Sequence, residues 1–235
     1  MKKIQIFILV FLMSLFSFGQ TSETYFSRGN EKYNLQDYRG AIDDYNKAIE
    51  IDPKNADAYY NRGLSKDNLQ DYRGAIDDYN KAIEINPNFV EAYYNRGNAK
   101  GNLQDYRGAI ADYNKAIEIN PKDAEAYNNR GNAKYKFQDY RGAIADFNKA
   151  IEIDPKDADV YFTRGLSKSQ LQDYRGAIDD YNKAIEINPN FAEAYYNRGS
   201  SKYKLNDINA ACLDFSKAGE LGYEDAYDAI RDLCN

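Results

Sequence analysis

The amino-acid sequence predicts an all-α protein built as an array of repeated helix pairs. Two observations carry this prediction. The chain's five prolines recur every 34 residues: Pro53, Pro87, Pro121, Pro155 and Pro189. Residues 69–89 are also identical to residues 171–191, three periods further on. Self-similarity at a fixed period of about 20–50 residues indicates a repeat array and predicts the whole architecture.

The first half of each period has the pattern of a helix. In the second period, Tyr59, Arg62, Gly63 and Lys66 are spaced at i, i+3, i+4 and i+7, which places them on one helix face. The glycine of this face recurs in every period: Gly29, Gly63, Gly97, Gly131, Gly165 and Gly199. We therefore expect a first helix in each repeat.

The second half of each period has the pattern of an amphipathic helix. Asp71 lies where its carboxylate can cap the helix start. An apolar stripe follows at i, i+1, i+4, i+7 and i+8: Ala75, Ile76, Tyr79, Ala82 and Ile83. Pro87 ends the helix because proline has no amide donor. Each repeat is thus a helix–turn–helix pair, which buries its apolar face only by stacking on its neighbours.

The composition excludes several classes of function. The chain has no His, no Trp and only two Cys, so it lacks an imidazole base and cannot form a four-thiolate zinc site. Its 37 acidic and 31 basic residues argue against a nucleic-acid groove. Paired carboxylates are common, but no repeat carries a distinctive acid/base set. We predict a protein that is not an enzyme and has no catalytic residues, metal or cofactor.

The N-terminal residues have the pattern of a secretory signal. Lys2 and Lys3 precede an apolar run over residues 4–18, which is shorter than the roughly 20 residues of a membrane-spanning helix. Small residues before Gln20 predict cleavage after residue 19, which would change the net charge from −6 to −8. We expect export to the periplasm or outside the cell, with no membrane insertion after cleavage. An uncleaved N-terminal membrane anchor is the alternative.

The 34-residue unit resembles the tetratricopeptide repeat (TPR), whose pattern is W-x2-L-G-x2-Y, then A-x3-F, then P. In this chain, Tyr59, Gly63, Ala75, Tyr79 and Pro87 occupy the corresponding positions. The resemblance implies a right-handed superhelical solenoid of six TPR units, followed by a capping helix over residues 226–235. The units would span 22–55, 56–89, 90–123, 124–157, 158–191 and 192–225.

The chain departs from the TPR pattern by placing charge on the core-facing side. Arginine replaces the usual Leu in every unit: Arg28, Arg62, Arg96, Arg130, Arg164 and Arg198. Lysine replaces the usual Tyr four residues later. Each second helix carries an acid beside its apolar stripe: Asp44, Asp78, Asp112, Asp146, Asp180 and Asp214. We predict an Arg–Asp ladder within or between units, because a buried charge needs a partner. The alternative is that the Arg and Lys stems cover apolar surface while their charged heads reach water.

Three further positions lead to structural expectations. The Tyr59 column, which replaces the TPR Trp, is expected in the core. Glycine at Gly74 and its equivalents costs helix stability, for which close approach of another helix is one compensation. Cys212 and Cys234 are expected to face each other, and in an exported protein this predicts a disulfide bond. Two buried free thiols are the alternative for these cysteines.

A second face of each first helix remains for binding. In TPR proteins this face lines a groove that holds peptides. Here it carries an acid column (Glu23, Asp57, Glu91, Glu125, Asp159, Glu193) and a ring column (Phe26, Tyr60, Tyr94, Phe162, Tyr196) that is interrupted at Asn128. An amide column follows (Asn61, Asn95, Asn129, Asn197), with Ser27 and Thr163 at its other two places. The predicted groove residues are Asp57, Tyr60, Asn61, Glu91, Tyr94, Asn95, Asn98, Glu125, Asn129, Asn132, Phe162, Tyr196 and Asn197.

These columns predict a non-catalytic interaction scaffold in the cell envelope. Asparagine amides can hold an extended peptide backbone, rings can pack side chains, and the acids favour a basic protein or peptide partner. A glycan- or wall-binding module is the alternative, since rows of Tyr, Asn and acids also suit sugars. It also remains open that the repeated surface arose by duplication and binds nothing. The oligomeric state is not predicted.

Overall fold

The structure, a computed structural model, describes residues 21–234, and in this range its regular elements are all α-helices. The first helices of the repeats are α1 (Ser22–Asn34), α3 (Ala56–Asn68), α5 (Val90–Asn102), α7 (Ala124–Lys136), α9 (Ala158–Gln170) and α11 (Ala192–Lys204). The second helices are α2 (Tyr38–Ile51), α4 (Tyr72–Ile85), α6 (Tyr106–Ile119), α8 (Tyr140–Ile153), α10 (Tyr174–Ile187) and α12 (Ile208–Glu220). The last helix is α13 (Asp225–Leu233). The predicted all-α array of helix pairs is confirmed, while the predicted signal peptide lies outside the described residues.

The chain forms two compact units, which divide between Leu103 and Gln104. In the first unit, α1 to α5 contact one another in sequence, and the first helices α1, α3 and α5 lie side by side. In the second unit, α6 to α13 also contact one another in sequence, and α7, α9 and α11 lie side by side. Within residues 21–234, no helix combines the length and the apolar character needed to cross a bilayer.

Each helix pair is joined by a tight corner, whose left-handed backbone conformation the sequence did not indicate. Gln70 has a φ of 62°, in the left-handed region, and the same conformation recurs at Gln36, Gln104, Gln138, Gln172 and Asn206. This conformation costs a residue with a side chain about 1–2 kcal/mol. Glycine is the usual residue in this conformation. Because glutamine stands at this corner, the left-handed turn could not be predicted from the sequence.

Aspartate caps start the second helices, as predicted. Oδ1 of Asp71 accepts a hydrogen bond from the Gly74 amide at 3.0 Å. A Cβ on Gly74 would lie 2.2 Å from Oδ2 of the same aspartate. The nearest contacts at this glycine come from the Asp71 carboxylate and not from another helix. The capping carboxylate itself occupies the space, because it folds back tightly over the first turn.

The core of each repeat is made of alanines and one ring. In α4, Ala75, Tyr79 and Ala82 are fully buried, and the Tyr79 ring packs against Gly63 of α3. The Tyr59 column was expected in this core, but its rings are only half-buried. The Arg62 guanidinium covers the Tyr59 ring at 5.4 Å, in the geometry of a cation–π contact.

The predicted Arg–Asp ladder is confirmed within the repeats. Nε and Nη2 of Arg130 donate to the two carboxylate oxygens of Asp146 at 2.9 and 2.5 Å. Lys134 lies 2.7 Å from the same carboxylate, which is only 3% exposed. Equivalent pairs join Arg28 to Asp44, Arg62 to Asp78, Arg164 to Asp180 and Arg198 to Asp214.

The same arginines also connect successive repeats. Nη1 of Arg130 donates to Oδ1 of Asn114, on the second helix of the preceding repeat, at 2.7 Å. Arg164 and Arg198 make the same bond to Asn148 and Asn182. One guanidinium therefore holds three helices, because its planar fork can donate in three directions at once.

The hydrogen bonds to Asp44, in the first repeat, favour the charged form of its carboxylate. In the first repeat, the hydrogen bond from Arg28 lowers the pKa of Asp44 to about 2, against the opposing effect of burial. The stabilisation from this carboxylate is complete above its unfolded pKa, near 4. It is lost as the pH falls towards 2, because the proton then competes with the arginine.

The structure places a disulfide bond between Cys212 and Cys234, with Cα atoms 5.8 Å apart. The two residues are separated by 22 positions, so the bond closes a loop that contains most of α12 and all of α13. A crosslink over this length is worth about 3 kcal/mol in chain-entropy terms. Because α13 has only nine residues, the bond fastens a helix that would be marginal alone.

We expect Gly63→Ala and Gly101→Ala to change stability in opposite directions. A Cβ at residue 63 would lie 2.7 Å from the buried Tyr79 ring, so this variant should lose about 1–3 kcal/mol. At residue 101 no atom lies within 4 Å, and alanine should add about 0.5–1 kcal/mol through helix propensity. Urea unfolding of both variants measures the change in the free energy of unfolding. Equal changes in the two variants would contradict the packing role of Gly63.

A double-mutant cycle of Arg130→Met and Asp146→Leu should give a coupling energy of about 1–3 kcal/mol, because each single variant leaves a buried charge without its main partner. The matched control is Lys149→Ala with Glu152→Ala, an ion pair whose side chains are 57% and 67% exposed. Its coupling should stay below about 1 kcal/mol. Additive effects in the first cycle, measured by urea unfolding, would rule out the Arg130–Asp146 ladder pair.

Candidate functional site

The structure places the acid column on the exposed surface of the first helices. In the first unit, Glu23, Asp57 and Glu91 lie on α1, α3 and α5, and all three are exposed. In the second unit, Glu125, Asp159 and Glu193 lie on α7, α9 and α11 and are also exposed. Each unit therefore presents neighbouring carboxylates on the predicted binding face.

The ring column is less accessible to a binding partner than the sequence suggested. Tyr60 is half-buried, with its ring centroid 5.9 Å from that of Tyr79 and 4.8 Å from that of Phe89. Phe162 lies in the same way against Tyr181 and Phe191. Tyr196 lies in the same way against Phe215 and Tyr223. The rings thus form the floor of the surface, since one side of each packs against the protein.

The residues that complete these ring pairs were missed by sequence analysis. Phe89 and Phe191 occupy N-cap positions, and neither makes a side-chain capping bond. At the same position Asn55, Asp123 and Asp157 do cap the following helix. At this position phenylalanine makes a ring contact, whereas asparagine or aspartate makes a capping hydrogen bond. The alternation of Phe with Asn or Asp before the first helices is the sequence signal that identifies these pairs.

The amides of the predicted site join neighbouring repeats. In the first unit, Nδ2 of Asn61 and the hydroxyl of Tyr45 both donate to Oδ1 of Asn30, at 2.9 and 2.7 Å. Nδ2 of Asn95 donates to the Tyr60 hydroxyl at 2.8 Å. Burial raises the pKa of Tyr60 to about 12, and nearby Glu91 adds to this effect. Asn61 and Asn95 are thus held in place before any partner arrives.

The remaining predicted residues lie on the same face of each unit. In the first unit, Tyr94 and Asn98 are half-buried on α5. In the second unit, Asn129 is half-buried on α7, and Asn132 donates to Oδ1 of Asn128 at 3.4 Å. Asn197 donates to the carbonyl of Glu193, one turn earlier on α11.

Two repeats replace an asparagine of this network by leucine. Leu64 and Leu166 stand at the position of Asn30, and the hydroxyls of Tyr79 and Tyr181 are consequently buried without a partner among residues 21–234. Oδ1 of Asp67 is a further buried atom without a partner in that range, and burial raises the pKa of this carboxyl. The polar floor is therefore satisfied in the first repeat and left incomplete in the second and fifth.

Each unit has a cavity of about 270 Å³ on this surface. In the first unit the cavity has a neutral polar lining: Asn30, Tyr33, Asn34, Tyr45, Asn61 and Leu64. In the second unit the cavity is acidic, with Glu125, Asp154 and Asp157 around it. Within the described range, no cluster of three or more Cys, Asp or Glu is placed to hold a metal ion.

The fold and this surface define a class of protein, the helical repeat array that presents a binding face on its first helices. Family models for the TPR repeat match residues 29–66 and 165–206, and models for the tetratricopeptide repeat match 56–89, 90–123, 124–157 and 192–221. The chain belongs to the tetratricopeptide-repeat family. No curated protein sequence matches it significantly.

Solved structures agree with this assignment. A crystal structure of MamA is 29% identical, covers 70% of this chain and 96% of its own, and superposes with a TM-score of 0.67. A tetratricopeptide repeat protein from Parabacteroides merdae is 25% identical over 93% of this chain and 86% of its own, with a TM-score of 0.63. YrrB, described as a TPR protein with an unusual peptide-binding site, is 22% identical over 80% of this chain and 97% of its own, with a TM-score of 0.70. At that identity the YrrB likeness shows the fold alone.

Family membership supports a role as a protein–protein interaction scaffold. TPR proteins bind protein or peptide partners, and the fold is typically non-catalytic. The family does not name the partner, because function is carried by the residues of the surface and not by the fold.

We expect Tyr45→Phe and Tyr79→Phe to differ in sign. The first variant removes the hydrogen bond to Asn30 and should cost about 1 kcal/mol. The second removes a buried hydroxyl without a partner and should be neutral or stabilising by up to about 1 kcal/mol. Phe147 and Phe215 already occupy this position in the fourth and sixth repeats. Urea unfolding of both variants measures these changes in stability. Equal losses of stability in the two variants would contradict the hydrogen-bond network.

Proposed function

We propose that this chain is an exported, non-catalytic scaffold that holds an extended, basic segment of a partner protein against its first helices. The observation that carries the proposal is the acid column. Its carboxylates are exposed side by side in each unit, next to half-buried rings and fixed amides. Such a surface offers charge, apolar contact and backbone hydrogen bonding together, which is what an extended peptide requires.

Electrostatics supports a basic partner. The whole chain has a net charge of −6, and the proposed removal of Lys2 and Lys3 with the signal would make it −8. Asp57 and Glu91 are exposed on neighbouring helices of the first unit. Their carboxylates would steer a cationic segment to the face and set its register.

The proposed location rests on two features. The basic start and the short apolar run over residues 4–18 have the composition of a secretory signal, with cleavage after residue 19. The Cys212–Cys234 disulfide suits an oxidising compartment, because such bonds rarely persist in the cytosol. Together they favour the cell envelope, with residues 22–225 as six repeats that end in a disulfide-fastened cap.

The neutral cavity of the first unit favours glycan binding as the second candidate function. Asn34 and Asn61 lie beside the hydroxyl groups of Tyr33 and Tyr45 around this space. Amide and phenol groups next to one another can donate to and accept from sugar hydroxyls. This candidate would place the ligand on α1 and α3 and would not need the acid column.

A display selection of random 12-residue peptides against the full chain tests the proposal. We expect enrichment of Lys- and Arg-containing peptides. The variant Asp57→Lys/Glu91→Lys should weaken their binding by about tenfold or more, since two attractive charges become repulsive. The matched control, Asp43→Lys/Asp77→Lys, makes the same charge change at exposed positions of the second helices and should bind as the parent does.

Two outcomes would contradict the proposal. Equal weakening by the groove and control variants would mean that only net charge matters. Failure to enrich basic peptides, together with binding of wall glycans that Asn34→Ala/Asn61→Ala abolishes, would decide for the glycan module.

A further inference from the structure

The second unit contains an opening at a place that the second, fifth and sixth repeats fill with a pair of rings. This cavity of about 270 Å³ lies where α7, the end of α8 and the start of α9 meet. Its lining includes Asn128, Ala150 and Val160, and no lysine or arginine is among the lining residues. It is distinct from the neutral cavity of the first unit in both position and charge.

The cavity exists because two residues of one ring pair are replaced together. The corresponding rings lie with centroids 4.8 Å apart in the pairs Tyr60–Phe89, Phe162–Phe191 and Tyr196–Tyr223. In the fourth repeat, Asn128 and Asp157 occupy these two positions. Two short polar side chains cannot occupy the volume of two rings, so the space between the helices stays open.

The cavity has an apolar floor and an acidic rim. Ala150 and Val160 are 1% and 2% exposed and form the floor. Glu125, Asp154 and Asp157 line the same space. One oxygen of Asp157 accepts from the Asp159 and Val160 amides, and one oxygen of Asp154 accepts from the Lys156 amide. These bonds fix the two carboxylates at the rim. They use one oxygen of each carboxylate, so the second oxygen of each takes no part in them.

Neighbouring acids add negative charge at the mouth. Burial first, and then the charges of Asp157 and Glu193, raise the pKa of Asp159. Carboxylates at this end of α9 therefore repel one another when the surface is unoccupied. A bound cation would relieve this repulsion, so the local field favours a positively charged ligand.

We propose that this cavity is a subsite for an arginine side chain of the partner peptide. The methylene stem would lie on Ala150 and Val160, as long cationic side chains do on apolar surface. The guanidinium would donate to the rim carboxylates of Glu125, Asp154 and Asp157, because its planar fork matches more than one acceptor. This inference rests on the proposed function, and it fixes the register of a basic segment on the second unit.

The valines of the chain allow a direct test by NMR. Of its three valines, Val160 lies in the cavity floor, Val90 begins α5 in the first unit, and Val10 lies outside the described residues. The probe is N-acetyl-arginine amide, titrated into the full chain with labelled valine methyl groups. We expect a saturable shift of the Val160 methyl signals in the millimolar range and no shift of Val90. The neutral isostere N-acetyl-citrulline amide should shift Val160 at least about tenfold more weakly, since it lacks the charge.

A filling variant provides the structural control. Asn128→Tyr/Asp157→Phe introduces the residues that the second repeat carries at Tyr60 and Phe89, so we expect it to fold with an unchanged or higher unfolding midpoint. It should abolish the Val160 shift with the arginine probe. An unshifted Val160 in the parent chain, an equal effect of citrulline, or an undiminished shift in a folded filling variant would each overturn the subsite.

The outcome is separable from that of the proposed function. Basic peptides that bind the parent and the filling variant equally, with Val160 unmoved, would overturn the subsite while the groove function stands. A saturable, arginine-selective shift of Val160 without any enriched peptide would support the subsite and count against the groove function.

Discussion

The structure depends on a buried carboxylate that each second helix carries beside its apolar stripe. In the fourth repeat, Asp146 is 3% exposed, so an unpaired charge there would be strongly destabilising, by about 3–5 kcal/mol. Arg130 and Lys134 supply the partners from the first helix, and the third branch of the guanidinium reaches Asn114 of the preceding repeat. One residue thus links the pairing of helices within a repeat to the stacking of repeats, because both use the same guanidinium.

This arrangement leaves the binding face free to vary. The arginine and glycine of the first helix face the second helix, and the carboxylate, alanines and ring of the second helix complete this contact. The exposed side can then change from repeat to repeat without loss of the pairing. The ring pair Phe162–Phe191 closes the surface in one repeat, whereas Asn128 and Asp157 open it in the repeat before. Differences between copies therefore hold more information about a partner than the features that all copies share.

Part of the candidate site could be predicted from the sequence, because helical spacing alone determines which residues share a face. Exposure of the acid column at Asp57 and Glu91 follows directly from that spacing. The engagement of Tyr60 with Phe89 could not be predicted in this way, since the two residues belong to different repeats and meet only when α3 and α5 stack. The same is true of Asn61 and Asn30, whose hydrogen bond crosses from one repeat to the next.

The sequence by itself determined the repeat length, the helix pairs and the aspartate caps, because each depends on spacing within one 34-residue period. It also predicted an Arg–Asp ladder but left open whether the pairs form within or between repeats, which the structure decided. The tertiary structure decided what depends on contact between periods. It showed that Arg130 also bonds Asn114 of the preceding repeat. Within one repeat it showed two local features as well, the left-handed conformation of Gln70 and the capping carboxylate that fills the space at Gly74. It also showed that the fourth repeat is open where ring pairs close the second, fifth and sixth repeats. Packing between copies sets the contacts that cross from one repeat to the next, and spacing within one period does not reveal how neighbouring copies pack.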